Sequence, residues 1–260
     1  YAAGCKRVIA HAHSTGTVGL HKRILHRINR AAAPFLATEL FSCSAEAGRF
    51  MFGNNKNISL IRNAIDVKKF SYAPSLRKKI RDELNIGGRT MVIGHVGRFS
   101  EPKNHPFLIE VFRRIAQKDE SAKLLLIGVG RTEQKIRVLV DKYNLADRVI
   151  FYGTSQNVHE LYSAMDVFLF PSLFEGLGIV CIEAQCCGLC VVASDIIPKE
   201  IDIAWLVKRL ALGDSPEHWA EAVIEGVSMR RLNNMPAVIA GAGYDIDAEA
   251  KKLMNLYLGC

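Results

Sequence analysis

At 260 residues, 49% hydrophobic and 23% charged, the chain has the composition of a globular protein able to bury a substantial core, which excludes disordered and fibrous classes. Its formal net charge of +8 is unevenly placed, with six Lys or Arg before residue 35 and the first acidic residue at Glu39, so an anionic partner is expected at this end: nucleic acid, an anionic membrane and a phosphorylated substrate all satisfy it. No apolar run approaches the roughly 20 residues needed to cross a bilayer and the first residues lack the plan of a signal peptide; with seven cysteines in mostly apolar contexts, a reducing, cytoplasmic setting is expected.

In chain order, residues 7–14 (RVIAHAHS) read as a strand, residues 20–32 as a basic helix, and LFSCSA (40–45) and ISLIRNAID (58–66) as strand-like runs. The polar stretch 68–90 combines a proline, a charged helical segment and a Gly-Gly pair, and reads as a bridge. It divides the chain into a smaller unit, residues 1–70, and a larger one, residues 71–260. Beyond residue 91, short β-branched or apolar runs alternate with amphipathic stretches. Strands are expected at 91–97, 122–128, 148–153, 166–172 and 189–194, with helices at 104–117, 133–143, 157–164, 179–187, 216–227 and 246–257. This pattern specifies an α/β, doubly wound parallel sheet of five strands, whose ligands bind where the strands end. The first unit is too short for such a domain, so a preceding amino-terminal part is expected.

The most informative segment is FPSLFEGLGIVCIEA, in which a strand runs into a Gly-rich turn and a helix opening near Gly178. The free N–H groups of that helix start form an anion site. Glu175 lies in the turn and Glu183 one to two turns into the helix, so both carboxylates face one crevice. Because a carboxylate repels phosphate, the partner expected for each is a hydroxyl-rich group such as a sugar or a ribose. Taken singly, Glu175 also reads as a helix cap and Glu183 as a solvated side chain. A second strand–turn–helix segment, IGHVGRFSEPKNHPFLIEVF, sets Arg98 and Lys103 in the turn after Gly97, a pairing suited to a diphosphate. The third, LLLIGVGRTEQKI, contains Gly128 and Gly130 but has Glu133 where a dinucleotide fingerprint needs a third glycine, and no P-loop is present.

These segments resemble the retaining glycosyltransferases of family 4, of the bacterial exopolysaccharide and capsule type, whose fold is called GT-B. The likeness rests on the Glu-x7-Glu signature from Glu175 to Glu183, the Gly-Arg-x4-Lys turn from Gly97 to Lys103, and IRNAIDVKKF at 61–70, and it covers nearly the whole chain. It implies a doubly wound Rossmann-like carboxyl-terminal domain beside a partial, amino-terminally truncated one, acting as a hexosyltransferase on a nucleotide-diphosphate sugar, a uridine diphosphate (UDP) sugar. Arg98 and Lys103 would then hold the donor diphosphate, Glu175 the donor sugar and Glu183 the ribose hydroxyls. Gly176 and the N–H groups of Leu177, Gly178 and Ile179 would complete the phosphate cradle, with Gly153 and Thr154 near the base. His13, at the end of an amino-terminal strand, would reach the donor sugar. The family further implies a saccharide or lipid-linked acceptor, and an ion-pair-like route in which the departing diphosphate accepts the acceptor's proton.

Other readings are weaker. His11 and His13 lack a third metal ligand, and Cys186, Cys187 and Cys190 lack a second zinc-binding pair. Asp245-Ile-Asp247 resembles a metal motif yet opens the last helix, where capping explains it better, so no obligatory metal or other cofactor is expected. Arg23, Arg27 and Arg30 share one face of the basic helix, a solvated face by default and an anionic-lipid contact if the acceptor is membrane-bound. Nucleic-acid binding has only net charge in its favour. A nucleotide-sugar-binding module without catalysis is the principal alternative, and a nicotinamide oxidoreductase is disfavoured by the incomplete fingerprint.

Overall fold

The computed structural model describes residues 4–17, 19–55, 57–229, 231–232 and 234–258. Two parallel sheets organise the chain. The first contains β1 (Ile9–Ala12), β2 (Glu39–Ser42) and β3 (Ile58–Leu60) in the order β1-β2-β3, with α1 (Leu20–Leu36) and α2 (Ala45–Phe52) as the connections. The sequence reading missed α2 by running the strand through Ala45. The helix instead begins at Ser44, whose hydroxyl accepts from the Ala47 N–H (3.1 Å) and satisfies one of the orphan donors of the first turn. The basic helix runs on past the expected residue 32, through Pro34, and buries none of its residues.

The second sheet has six parallel strands where five were expected: β4 (Val92–Val96), β5 (Lys123–Ile127), β6 (Val149–Gly153), β7 (Val167–Phe170), β8 (Cys190–Ser194) and β9 (Val207–Leu210), in the order β6-β5-β4-β7-β8-β9. The additional strand, β9, is the edge strand Val-Lys-Arg-Leu, half-buried throughout and too polar to stand out as an apolar run. By contrast β7, in the middle, is buried at all four residues, as expected for a strand covered on both faces. The covering helices are α3 (Pro74–Glu83), α4 (His105–Lys118), α5 (Glu133–Lys142), α6 (Val158–Ala164), α7 (Ile179–Cys186), α8 (Pro216–Val227) and α9 (Met235–Gly241).

Polar interactions set the position of α3, which lies in the stretch read as a bridge. Arg77 and Arg81 donate to the two carboxylate oxygens of Asp166 (2.6 and 2.7 Å), which also accepts the Val92 N–H at the start of β4 (2.8 Å). Arg81 is 3% exposed, so its charge depends on this partner. The last helix, α10 (Ile246–Leu258), returns to the first sheet: Ile65 and Asp245 form a bridge, and Arg7 Nη1 donates to the Tyr257 carbonyl (2.9 Å). Asp245 caps α10, accepting from the Ala248 N–H (3.0 Å), as the capping reading required. One buried cluster includes Leu40 and Phe52 from the first unit with Leu177, Ile201 and Tyr244, so the two sheets share a core. Each such side chain contributes roughly 1.5–3 kcal/mol by burial.

Candidate active site

The order of the second sheet reverses between β4 and β7, and in a doubly wound sheet the crevice outside the strand ends opens at that point. The two turns singled out in the sequence, after β4 and after β7, flank it. Backbone bonds join three neighbouring turns side by side: the Gly97 N–H donates to the Ile127 carbonyl (2.9 Å) and the Gly128 N–H to the Gly153 carbonyl (2.7 Å). Gly128 has φ +138°, and a Cβ there would overlap the Gly97 carbonyl, so this glycine is needed for the turns to approach. On the other side α7 opens at Gly178 with φ 86°, and no side chain caps its first N–H groups among the described residues.

Two cavities open here. One, of about 380 Å³, is lined by Gly97, Arg98, Val129, Thr154, Ser155 and Glu183 among others. The second, about 690 Å³, shares Arg98 and Val129 with it and reaches Gly16, Thr17 and Lys22 beyond β1, with Arg131 and Phe174 on its walls. Arg98 is exposed, and its guanidinium makes no hydrogen bond or ion pair among the described residues, so it projects an uncommitted positive charge into both spaces.

Lys103 and Glu175 line neither cavity. Lys103 Nζ donates to Glu175 Oε1 (2.5 Å), with side chains 18% and 13% exposed, and the ammonium lies 4.9 Å from the Phe170 ring centre. Glu175 therefore does not cap α7; it neutralises the cation of the facing turn. Glu183 is not a solvated side chain either. Burial raises its pKa above the ordinary carboxylate value, an effect partly opposed by the Tyr162 hydroxyl, which donates to Oε2 (2.7 Å).

The Glu175 turn also touches the first sheet. Thr15 Oγ1 donates to the Glu175 carbonyl and Ser44 Oγ to that of Gly176 (2.5 Å for each), while a Cβ at Gly176 would overlap the carbonyl of His13. His13 thus meets the site through its backbone. Its exposed ring packs beside that of His11, 4.0 Å between centres, and lines neither cavity. Leu177 and Gly178 are buried beneath the turn and Ile179 is half-buried. Gly153 closes β6, and Thr154 stands at the cavity edge.

Several cavity residues escaped the sequence reading: Ser155, Val129, Lys22 and Phe174. Their signal was positional, since Ser155, Val129 and Phe174 lie in turns just past strand ends. His95 and His105 were missed as well. They are 0% and 1% exposed below the Gly97–Lys103 turn, His105 stacked on Phe99 with ring centres 4.2 Å apart. Burial and the neighbouring Lys103 lower both pKa values, that of His105 to about 4.

A family model described as glycosyl transferases group 1 matches residues 77–245. The chain belongs to this family. The glycosyltransferase is 32% identical, over 265 residues covering 98% of this chain and 69% of the relative, to the putative glycosyltransferase EpsF of Bacillus subtilis (strain 168). It is 29% identical over 140 residues, 54% of this chain and 35% of the relative, to the N-acetylgalactosamine-N,N'-diacetylbacillosaminyl-diphospho-undecaprenol 4-alpha-N-acetylgalactosaminyltransferase of Campylobacter jejuni. Among solved structures, Anabaena HepE in complex with UDP and glucose superimposes with a TM-score of 0.81 at 18% identity, covering 97% of this chain and 71% of HepE. WaaG, a glycosyltransferase involved in lipopolysaccharide biosynthesis, gives 0.74 at 19% identity over 96% of this chain and 78% of WaaG. The glycosyltransferase accordingly has the GT-B fold expected from its motifs.

Proposed function

We propose that this glycosyltransferase is a retaining hexosyltransferase of family 4 that takes its sugar from a nucleotide-diphosphate donor, UDP-linked, and passes it to a saccharide or lipid-linked acceptor during synthesis of a surface polysaccharide such as exopolysaccharide or capsule. The observation that carries this reading is a single crevice with a cation, Arg98, that has no partner among the described residues, and a partly buried carboxylate, Glu183, on its two sides. Arg98 and Lys103 hold the diphosphate and stabilise the charge that grows on it as the glycosidic bond breaks. The N–H groups of Leu177 to Ile179, beside Gly176, complete the cradle. Glu183 accepts from the ribose hydroxyls, Gly153 and Thr154 border the base, and Glu175 contacts the transferred sugar. His13, whose backbone abuts Gly176, assists there.

No metal or other cofactor has a part in this reading, because two cations and a helix start supply the counter-charge. That HepE is solved with UDP and glucose supports a UDP-linked donor. The diphospho-undecaprenol acceptor named for the Campylobacter relative supports a lipid-linked acceptor, as does α1. That helix exposes Leu20, Ile24, Leu25, Ile28 and Phe35, and beside them Arg23, Arg27 and Arg30 line a cavity of about 500 Å³. We assign it to the anionic inner face of the cell membrane, a cytoplasmic position that suits the six unpaired cysteines among the described residues.

Calorimetric titration with UDP, run on the protein and on a variant carrying Arg98→Ala and Glu183→Ala, tests the donor site. Binding that disappears in the variant supports it; absence of binding at millimolar UDP sinks it. Binding without transfer to any acceptor would favour a non-catalytic nucleotide-sugar module, and flotation that ignores anionic lipid would remove the membrane assignment.

A further inference from the structure

Glu183 sits in an unusual electrostatic setting. It borders the 380 Å³ cavity, yet no cation pairs with it among the described residues, and burial raises its pKa. The ionisable groups around it are few. Cys181 and Cys186 share its helix, their thiols pushed up by burial, Cys186 to about 12, so they stay neutral. Arg98 stands in the turn after β4, on the same cavity. From α6 comes Tyr162, itself fully buried against Phe168 and Phe70, whose phenol is pushed well up by burial and by Glu183 and therefore remains a donor. Its hydroxyl donates to Glu183 Oε2 at 2.7 Å and lies 3.3 Å from the Val180 carbonyl. Glu183 Oε1 makes no hydrogen bond among the described residues.

We propose that Tyr162 is a positioning residue for the donor nucleotide: by holding one oxygen of Glu183 from behind, it keeps the carboxylate charged and its second oxygen available to the ribose hydroxyls. The inference rests on the assignment of Glu183 to the ribose made above. A hydrogen bond donated to a carboxylate favours its charged form and opposes the effect of burial. A charged acceptor binds a hydroxyl pair more strongly than a neutral one. Tyr162 thus acts on the nucleotide without touching it.

Tyr162→Phe removes the hydroxyl and leaves the ring in the core. UDP affinity at pH 7 is expected to fall about tenfold, the loss typical of one hydrogen bond to a charged group. The pH below which UDP binding fades is expected to rise relative to the parent, whereas affinity for inorganic pyrophosphate, which lacks the ribose, stays as in the parent. A purely structural role for Tyr162 would weaken both ligands and leave the acid limb in place. Glu183→Gln, which removes the charge and keeps an acceptor oxygen, should flatten that limb, and it serves also if Tyr162→Phe folds poorly. If Glu183→Ala and Glu183→Gln both bind UDP like the parent, the ribose assignment falls and this proposal with it. If those variants lose UDP while a folded Tyr162→Phe keeps the parent's affinity and pH profile, the role of Tyr162 alone is overturned.

Discussion

Because the proposed function gives Lys103 to the diphosphate and Glu175 to the sugar, the ion pair between them has to open when the donor enters. Glu175→Gln removes the charge and nearly preserves the shape. Its effects on UDP and on a UDP-sugar should then have opposite signs. The pair is joined at 2.5 Å with side chains only 18% and 13% exposed, a setting in which a charge-assisted hydrogen bond is worth about 1.5–3 kcal/mol. UDP, which needs Lys103 and makes no use of Glu175, must offset that loss in the parent and is spared it in the variant. With about 1.4 kcal/mol for each factor of ten, UDP should bind the variant roughly ten- to a hundredfold more tightly. Transfer from the sugar nucleotide should fall by about a hundredfold or more, the scale on which loss of one preorganised polar group slows a reaction. Paired calorimetric titrations with UDP and UDP-glucose, followed by rates of donor consumption, measure both. Equal weakening of the two ligands would refute the reasoning and reduce Glu175 to a residue that orders its turn.

Three other expectations follow from the same structure. His105 titrates near 6.5 when unfolded and at about 4 when folded, so its stabilising contribution is complete at pH 7, begins to be lost as pH falls through 6.5, and is down by about 3 kcal/mol at pH 4. Urea unfolding at pH 7, 5.5 and 4 should show that decline in the parent and a flatter one in His105→Phe; identical slopes would refute it. Asp166→Ala strips Arg81 of its carboxylate and the Val92 N–H of its acceptor, and should cost about 3–5 kcal/mol in chemical denaturation, as breaking a buried pair does; a loss under about 1 kcal/mol would contradict the burial assigned to Arg81. Gly176→Ala forces the turn off the His13 carbonyl. It should destabilise the fold by about 1–3 kcal/mol and abolish transfer, so wild-type melting temperature with intact transfer would count against a fixed contact between the sheets.

The second sheet was legible in the sequence because a parallel strand covered on both faces must be almost continuously apolar, and Val167–Phe170 and Cys190–Ser194 are. Edge strand β9 was not legible for the same physical reason: with only half-buried positions, Lys208 and Arg209 satisfy it as well as apolar residues do. Helix α2 and strand β2 are separated only by a tight turn at Ser44, and periodicity over so short a segment cannot tell one from the other. Around the candidate site, the strand–turn–helix rhythm singles out Arg98, Lys103, Glu175 and Glu183, which the structure sets in the turns after β4 and β7 and in α7. It does not single out their partners. That Lys103 would be bonded to Glu175, 72 positions later, or Glu183 to Tyr162, 21 positions earlier, depends on the order of strands in the sheet. That order reverses between β4 and β7, and nothing local in the chain records it.

This dependence on topology bears on how the site works. The turn that carries Glu175 and Gly176 belongs to the second sheet, yet it is bonded to Thr15, after β1, and to Ser44, at the start of α2. One more bond crosses nearby, from the Ala45 N–H to Glu200 (2.7 Å). The Glu175–Gly176 turn is therefore held by both sheets, and any movement of one against the other must displace Glu175. Lys103, by contrast, follows β4 and contacts the first sheet only through Glu175 in this set of bonds. Opening the Lys103–Glu175 pair would free Lys103 for the proposed diphosphate while Glu175 stays attached to the first sheet through its own backbone. Because both partners of that pair belong to the second sheet, donor entry as proposed leaves the bonds from Thr15, Ser44 and Ala45 in place, and the two sheets stay joined while Lys103 changes partner.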